Sequence, residues 1–148
     1  MPVSETMAMR LRRAYMTMHR YAQQHFASFG VTADQYVLLS LLAEQDEIRQ
    51  QDLAARAYSD PNTIAAMLSL LEEKKLLRRK RDKSDGRAKL VCLTALGHRL
   101  HEKLIRSVEP IHAEMERAVG ADRQALFASL WQIESTLANL QLKSSVDQ

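Results

Sequence analysis

The strongest chemical signal in the chain is a run of cations. Positions 74–89 hold nine basic residues (Lys74, Lys75, Arg78, Arg79, Lys80, Arg81, Lys83, Arg87 and Lys89) and two acidic ones, Asp82 and Asp85, a local net of +7. The whole chain has Lys+Arg 21 and Asp+Glu 18, so the remainder holds 12 basic and 16 acidic residues, a net of −4. Positive charge gathered into one short stretch of a mildly acidic protein is the pattern of a polyanion contact, and the plain alternative is a solvated face. Asp82 and Asp85 fit the first reading, because a carboxylate can hold a neighbouring guanidinium in one rotamer through paired hydrogen bonds.

Other chemistries find little to build on. His98 and His101 stand three apart and could face one ion, yet no cysteine lies nearby and nothing fixes a third ligand, so no metal and no other cofactor is expected. Cys92 is the lone cysteine; it excludes an internal disulfide and reads as structural, since a reactive thiol needs a lowered pKa. There is no Gly-x-Ser-x-Gly, no phosphate-cradling glycine loop and no His-Glu-x-x-His, only the fragment His101-Glu102, so an enzyme is not expected. The longest apolar run, 36–43, is broken by Ser40 and falls far short of the roughly 20 residues that span a bilayer. With no signal-peptide pattern at Met1-Pro2-Val3-Ser4-Glu5, the expected compartment is the cytoplasm, with no membrane partner.

The elements that must position the cations are mostly helical. A chain of 148 residues is the size of one domain, 46% hydrophobic residues supply a core, and Gly 4 with Pro 3 are too few for an all-β chain. Met7, Leu11, Ala14, Met18, Tyr21 and His25/Phe26 form one stripe of a long first helix that Gly30 ends. Thr32 reads as the N-cap of a second helix, with Val31 as the apolar staple before it. Positions 48–58 read as a short third helix with Leu53, Ala54 and Ala57 inward. Ser59-Asp60-Pro61 starts a fourth, whose inward stripe is Ile64, Met67, Leu68 and Leu71 and whose outward face holds Asn62, Thr63, Ala66 and Ser69.

Two short helices around a tight turn, the second showing small polar residues to solvent, fit a helix-turn-helix. Behind it, 78–81 and 88–93 flank Asp82-Lys83-Ser84-Asp85-Gly86-Arg87, and Asp-Gly between candidate strands signals a hairpin. A basic hairpin in that place is a wing. Thr94 opens a helix to about position 119 with Leu96, Leu100, Leu104, Val108, Ile111 and Met115 along one side, a Pro110 kink expected near Arg106 to Ser107, and Gly120 as its end. A last helix repeats Leu126, Leu130, Ile133, Leu137 and Leu140 in a 4-3-4-3 heptad, with Phe127 and Trp131 beside it. One chain has too little surface to cover these stripes, so Leu11 and the five heptad residues are expected in a two-fold dimer interface.

The chain resembles the MarR (multiple antibiotic resistance regulator) family of winged-helix transcription factors. The resemblance runs over nearly its whole length and is most specific in Leu71-Glu72-Glu73-Lys74-Lys75-Leu76-Leu77, Asp82-x-x-Asp85-Gly86-Arg87-x-Lys89 and Leu93-Thr94-x-x-Gly97. It implies a triangular homodimer, a recognition helix in each of two successive major grooves of double-stranded DNA, and a wing-tip arginine in the minor groove. It also implies a small-molecule pocket between the dimer helices and the DNA-binding lobe. Arg87 matches the wing-tip arginine, Asp85 the acidic residue that orients it, and Asn62, Thr63 and Ala66 the base-facing side of the recognition helix. The chain departs from the family at Ala65 and Ala66, where many members carry arginine or serine, and at Lys75, which replaces a common glycine.

The expected architecture is mainly α with a small β-wing: one chain, 1–148, with a winged helix-turn-helix lobe at 32–94 and helical dimerisation segments at 1–30 and 95–148. Expected DNA contacts are Asp60, Asn62, Thr63, Ala66 and Ser69 on the recognition helix, and Arg79, Arg81, Lys83, Ser84, Asp85, Arg87 and Lys89 on the wing. Arg13, Tyr15, His19 and Tyr36 are the pocket candidates, with an aromatic acid or related thioester as the implied effector and aromatic core as the plain alternative. The expected function is a ligand-responsive repressor on a pseudo-palindromic operator. The alternatives are a nucleoid-type architectural protein that binds DNA without an effector, and a small enzyme for which no site is visible.

Overall fold

Thr32 caps its helix as its sequence context demands: its hydroxyl accepts from the Gln35 amide at 3.0 Å while the Gln35 side chain accepts from the Thr32 amide at 3.1 Å, a reciprocal capping box. Such local rules account for most of the helix starts in the computed structural model, which describes residues 1–148. In chain order the elements are α1 Met7–Ala27, α2 Ala33–Glu44, β1 Ile48–Arg49, α3 Gln50–Arg56, α4 Pro61–Glu73, β2 Leu77–Arg81, β3 Lys89–Leu93, α5 Ala95–Val119 and α6 Arg123–Val146. Two compact units divide between Arg106 and Ser107.

In the first unit, α2, α3 and α4 pack around an antiparallel sheet of order β1-β3-β2. Leu38, Leu39, Leu42, Leu53, Ile64, Leu68, Leu71, Leu77 and Val91 are each at most 1% exposed and form its centre, with Leu104 of α5 equally buried. Positions 48–58 are not a single helix. Ile48 and Arg49 pair with Val91 and Leu90 of β3, and the helix is confined to Gln50–Arg56. Ile48 is 3% exposed, so burial against the hairpin decides its conformation over helical propensity. On α1 only Phe26 is buried, while Met7, Leu11, Met18 and Tyr21 lie exposed.

The second unit holds the end of α5 and all of α6. Pro110 offers no amide to the Arg106 carbonyl, one turn back, which is where the two units divide. α6 buries no residue: Leu126, Leu137 and Leu140 are exposed, Leu130 and Ile133 half-buried, and Trp131 is 61% exposed.

Candidate nucleic-acid interface

The turn between α3 and α4 is held by backbone geometry and a side-chain cap. Tyr58 takes a left-handed conformation, φ 50°, which lets the Ser59 amide donate back to the Ala54 carbonyl at 3.1 Å and closes α3. Asp60 then caps α4, accepting from the Thr63 amide at 2.8 Å and from its hydroxyl at 2.6 Å, with Pro61 at the first helical position. Those two bonds, the hydroxyl first, hold the Asp60 carboxyl below its usual range and keep it charged. Ile64, Leu68 and Leu71 face the core, which leaves Asn62, Thr63 and Ala66 in solvent. Asp60 and Thr63 are therefore occupied with each other first, and Asn62 and Ala66 are the open positions.

α4 ends in a Schellman motif: the Leu76 amide donates to the Leu71 carbonyl at 3.0 Å and the Lys75 amide to the Glu72 carbonyl at 2.9 Å. The residue at that corner, Lys75, has φ 63°, so the position favours glycine for a steric reason and lysine is strained there. A second glycine of the quoted motifs has a packing reason. The Gly97 amide donates to Thr94 Oγ1 at 3.1 Å and that hydroxyl donates to the Lys75 carbonyl at 2.7 Å, drawing the start of α5 against the corner so closely that a Cβ on Gly97 would sit 2.0 Å from the Leu76 carbonyl oxygen.

The wing pairs Leu77 to Arg81 with Leu93 to Lys89. The hairpin expected around Asp-Gly is present, with the strands joined through 82–88. The Asp82 amide donates to the Ala88 carbonyl at 2.9 Å, and inside that loop the Ala88 amide donates to Asp85 at 3.0 Å, so Asp85 opens a four-residue turn with Gly86 second. Asp85 was expected to orient the Arg87 guanidinium. Its carboxylate instead accepts from the Arg87 backbone amide at 3.0 Å, the local Asx geometry that a side chain this short reaches first. The orienting carboxylate in the loop is Asp82, which takes Arg49 Nη2 at 2.8 Å and the Ser84 amide and hydroxyl at 3.0 and 2.8 Å. The Ser84 bonds, then Arg49, hold Asp82 below its usual range. Ser84 is thus tied into the loop.

Three of the nine cations are committed within the protein. Lys74 donates to the Gly30 carbonyl at 2.8 Å, Lys80 pairs with Glu47, and Arg79 binds Ser69 and Glu72 of α4. Arg81, Lys83, Arg87 and Lys89 are exposed and form no salt bridge. Pro61 at the start of α4, Arg49, Gln50 and Gln51 of β1 and α3, and Arg87, Ala88 and Lys89 of the wing line one cleft of about 250 Å³. Sequence reasoning missed Arg49, Gln50 and Gln51 there: Arg49 lies in a two-residue strand with no periodicity to announce it, and the two glutamines open α3 outside the charged run.

The four pocket candidates do not converge. Tyr15 lines a cavity of about 440 Å³ with Asp34, Val37, Tyr58, Thr63 and Met67, and His19 stacks on Tyr15 with ring centroids 5.7 Å apart. Arg13 is exposed and does not line the cavity, while the half-buried Tyr36 stacks on Phe26 at 4.4 Å and on His101 at 6.3 Å.

The sequence pattern of the MarR family matches residues 31–89. Transcriptional regulator HosA of Escherichia coli O157:H7 is 31% identical over 123 residues, covering 80% of this chain and 91% of that protein. The chain belongs to the MarR family. It is a winged-helix transcriptional regulator, and among solved structures this regulator is similar to S. aureus MepR in complex with DNA (TM-score 0.82, 26% identity, 88% of this chain and 98% of that one). It is also similar to PcaV of Streptomyces coelicolor in complex with its natural ligand (TM-score 0.77, 26% identity, 93% and 97%). No helix of this MarR-family chain is long and apolar enough to cross a membrane.

Proposed function

We propose that two copies of this regulator bind a pseudo-palindromic duplex in the cytoplasm, each laying α4 in a major groove and the 82–88 loop along the neighbouring minor groove, and so repress transcription. The observation that carries this reading is the cleft joining Pro61 of α4 to Arg87 and Lys89 of the wing, two exposed cations that form no salt bridge. Arg81, Lys83 and Lys89 supply the phosphate contacts that give salt-dependent affinity, and Arg87 reads the negative potential of a narrow groove. Direct base reading falls to Asn62, with Ala66 against a thymine methyl and Thr63 held to the Asp60 cap. The work is done by binding, without catalysis.

Leu11 of α1 and Leu126, Leu130, Ile133, Leu137 and Leu140 of α6 are the surface for the second copy, because none of them is buried within one chain. The division into a lobe at 32–94 and dimerisation segments at 1–30 and 95–148 belongs to this reading. The effector seat is the cavity beside Tyr15, where the Asp34 carboxylate favours a ligand that donates hydrogen bonds and directs an aromatic acid's own carboxylate elsewhere. Footprinting on the DNA flanking the chain's own coding region tests the proposal: one short symmetric protected site is expected, and continuous protection without a boundary would favour an architectural protein.

A further inference from the structure

Arg79 and Ser69 were both expected to touch DNA, and the structure joins them to each other instead. Arg79 Nη2 donates to Ser69 Oγ at 3.0 Å and to Glu72 Oε1 at 3.2 Å, while the other oxygen of the same carboxylate, Glu72 Oε2, accepts from the Arg79 backbone amide at 2.9 Å. Ser69 in turn donates to the Ala65 carbonyl at 3.0 Å. Ser69 and Glu72 stand three apart on α4, hence on one face, and Arg79 is the middle residue of β2, paired with Val91. One carboxylate therefore grips both the backbone and the guanidinium of a wing residue. The Arg79 side chain is 17% exposed, whereas the wing cations that form no salt bridge lie open.

We infer that Ser69, Glu72 and Arg79 form a clamp that fixes the wing against the recognition helix, and that Arg79 is a positioning residue for DNA recognition, acting through α4 and β2 with no DNA contact of its own. Two reading elements that hang from one lobe can address a major groove and the adjacent minor groove together only if their spacing is fixed. The wing's other attachments are the core packing of Leu77 and Val91, strand pairing, which sets register, and the Arg49–Asp82 and Lys80–Glu47 pairs to the segment before α3. The clamp is the side-chain tie between β2 and α4 itself. Partial burial raises the Glu72 carboxyl, but the Arg79 hydrogen bonds and charge outweigh it and hold it below its ordinary value, so the clamp stays charged across the physiological range.

The inference rests on the proposed operator binding, and the test separates the two. The probes are the duplex that the parental chain enriches from a random-sequence pool and a shuffled duplex of the same composition, titrated over a range of salt with Arg79→Lys, Glu72→Gln and Ser69→Ala. Arg79→Lys keeps a cation but loses the guanidinium fork. The clamp predicts about a tenfold loss of preference for the enriched over the shuffled duplex, with an unchanged slope of log affinity against log salt, since no phosphate contact is removed. Glu72→Gln gives the sharpest contrast. Removing a negative charge beside DNA strengthens binding if Arg79 contacts phosphate, whereas the clamp predicts weaker binding to the enriched duplex and equal or stronger binding to the shuffled one. Ser69→Ala, a change that a helix accepts readily, should lower the preference in the same direction. Unaltered preference in Arg79→Lys and Ser69→Ala, or a general gain in Glu72→Gln, overturns the clamp. Failure of the parental chain to enrich any sequence overturns the operator reading, and the clamp's role with it.

Discussion

Replacing Gly97 by alanine should loosen the joint between the wing and α5. The added Cβ would lie 2.0 Å from the Leu76 carbonyl oxygen, 3.0 Å from its carbon and 3.2 Å from Leu93 Cδ2. Backbone is the obstacle, and it is pinned: Leu76 closes the Schellman motif through its amide and accepts from the Thr94 amide at 3.1 Å through the same carbonyl that the methyl would strike. Overpacking costs typically 1–3 kcal/mol, and a clash with fixed backbone belongs at the upper end, about 3 kcal/mol. Alanine in a helix regains about 1 kcal/mol of propensity over glycine. The clash wins by about 2 kcal/mol, which for a chain of this size lowers the melting temperature by roughly 4–8 °C. Gly86→Ala is the control, because a Cβ there meets nothing within 4 Å. Thermal unfolding followed by circular dichroism reads both variants. Gly97→Ala melting with or above the parent would refute the packing argument.

Lys75→Gly should stabilise the chain by about 1 kcal/mol by relieving the left-handed lysine after α4, read as a higher denaturant midpoint at unchanged slope. Arg87→Ala should weaken operator binding and reduce the preference for narrow A·T-rich grooves, while Lys83→Ala should weaken all duplexes alike and lower the salt slope by about one; equal behaviour of the two would dissolve the division of labour on the wing. Leu137→Glu should abolish the dimer in sedimentation and operator binding with it, because burying an unpaired carboxylate costs several kcal/mol; a dimeric Leu137→Glu removes this residue from the interface. His101 is 8% exposed, hydrogen-bonds with Ser40 Oγ at 3.2 Å, and has its pKa lowered from 6.5, by burial first and then by His98. The folded chain thus binds fewer protons than the unfolded one just below that value, so stability should fall as pH drops through 6.5, and His101→Gln should flatten that fall in chemical denaturation.

What the sequence made legible was local. Thr32 and Asp60 announce their helices because a cap acts over three residues, and the inward stripe Ile64, Leu68, Leu71 follows from helical period alone. Ile48 and Arg49 look helical from sequence because their strand partner lies in β3, some forty positions on, where no local pattern reaches. The same holds at the site. Exposure of Asn62, Thr63 and Ala66 was foreseeable from the helix face, but Arg79 looked like one more wing cation until the fold set Ser69 and Glu72 beside it. Tyr36 and Tyr15 both belong near the meeting of the first two helices as far as periodicity goes, and only the fold shows that Tyr36 stacks on Phe26 instead. Charge composition locates a surface without saying which of its cations are already spent.

The most direct test of the central claim is enrichment of duplexes from a random-sequence pool, with the stoichiometry of the enriched complex measured by sedimentation. The account predicts a symmetric site whose half-sites lie about one helical turn apart, bound by two protomers, with affinity falling steeply as salt rises. A pool that stays random through successive rounds, or an enriched duplex bound by one protomer, would contradict it.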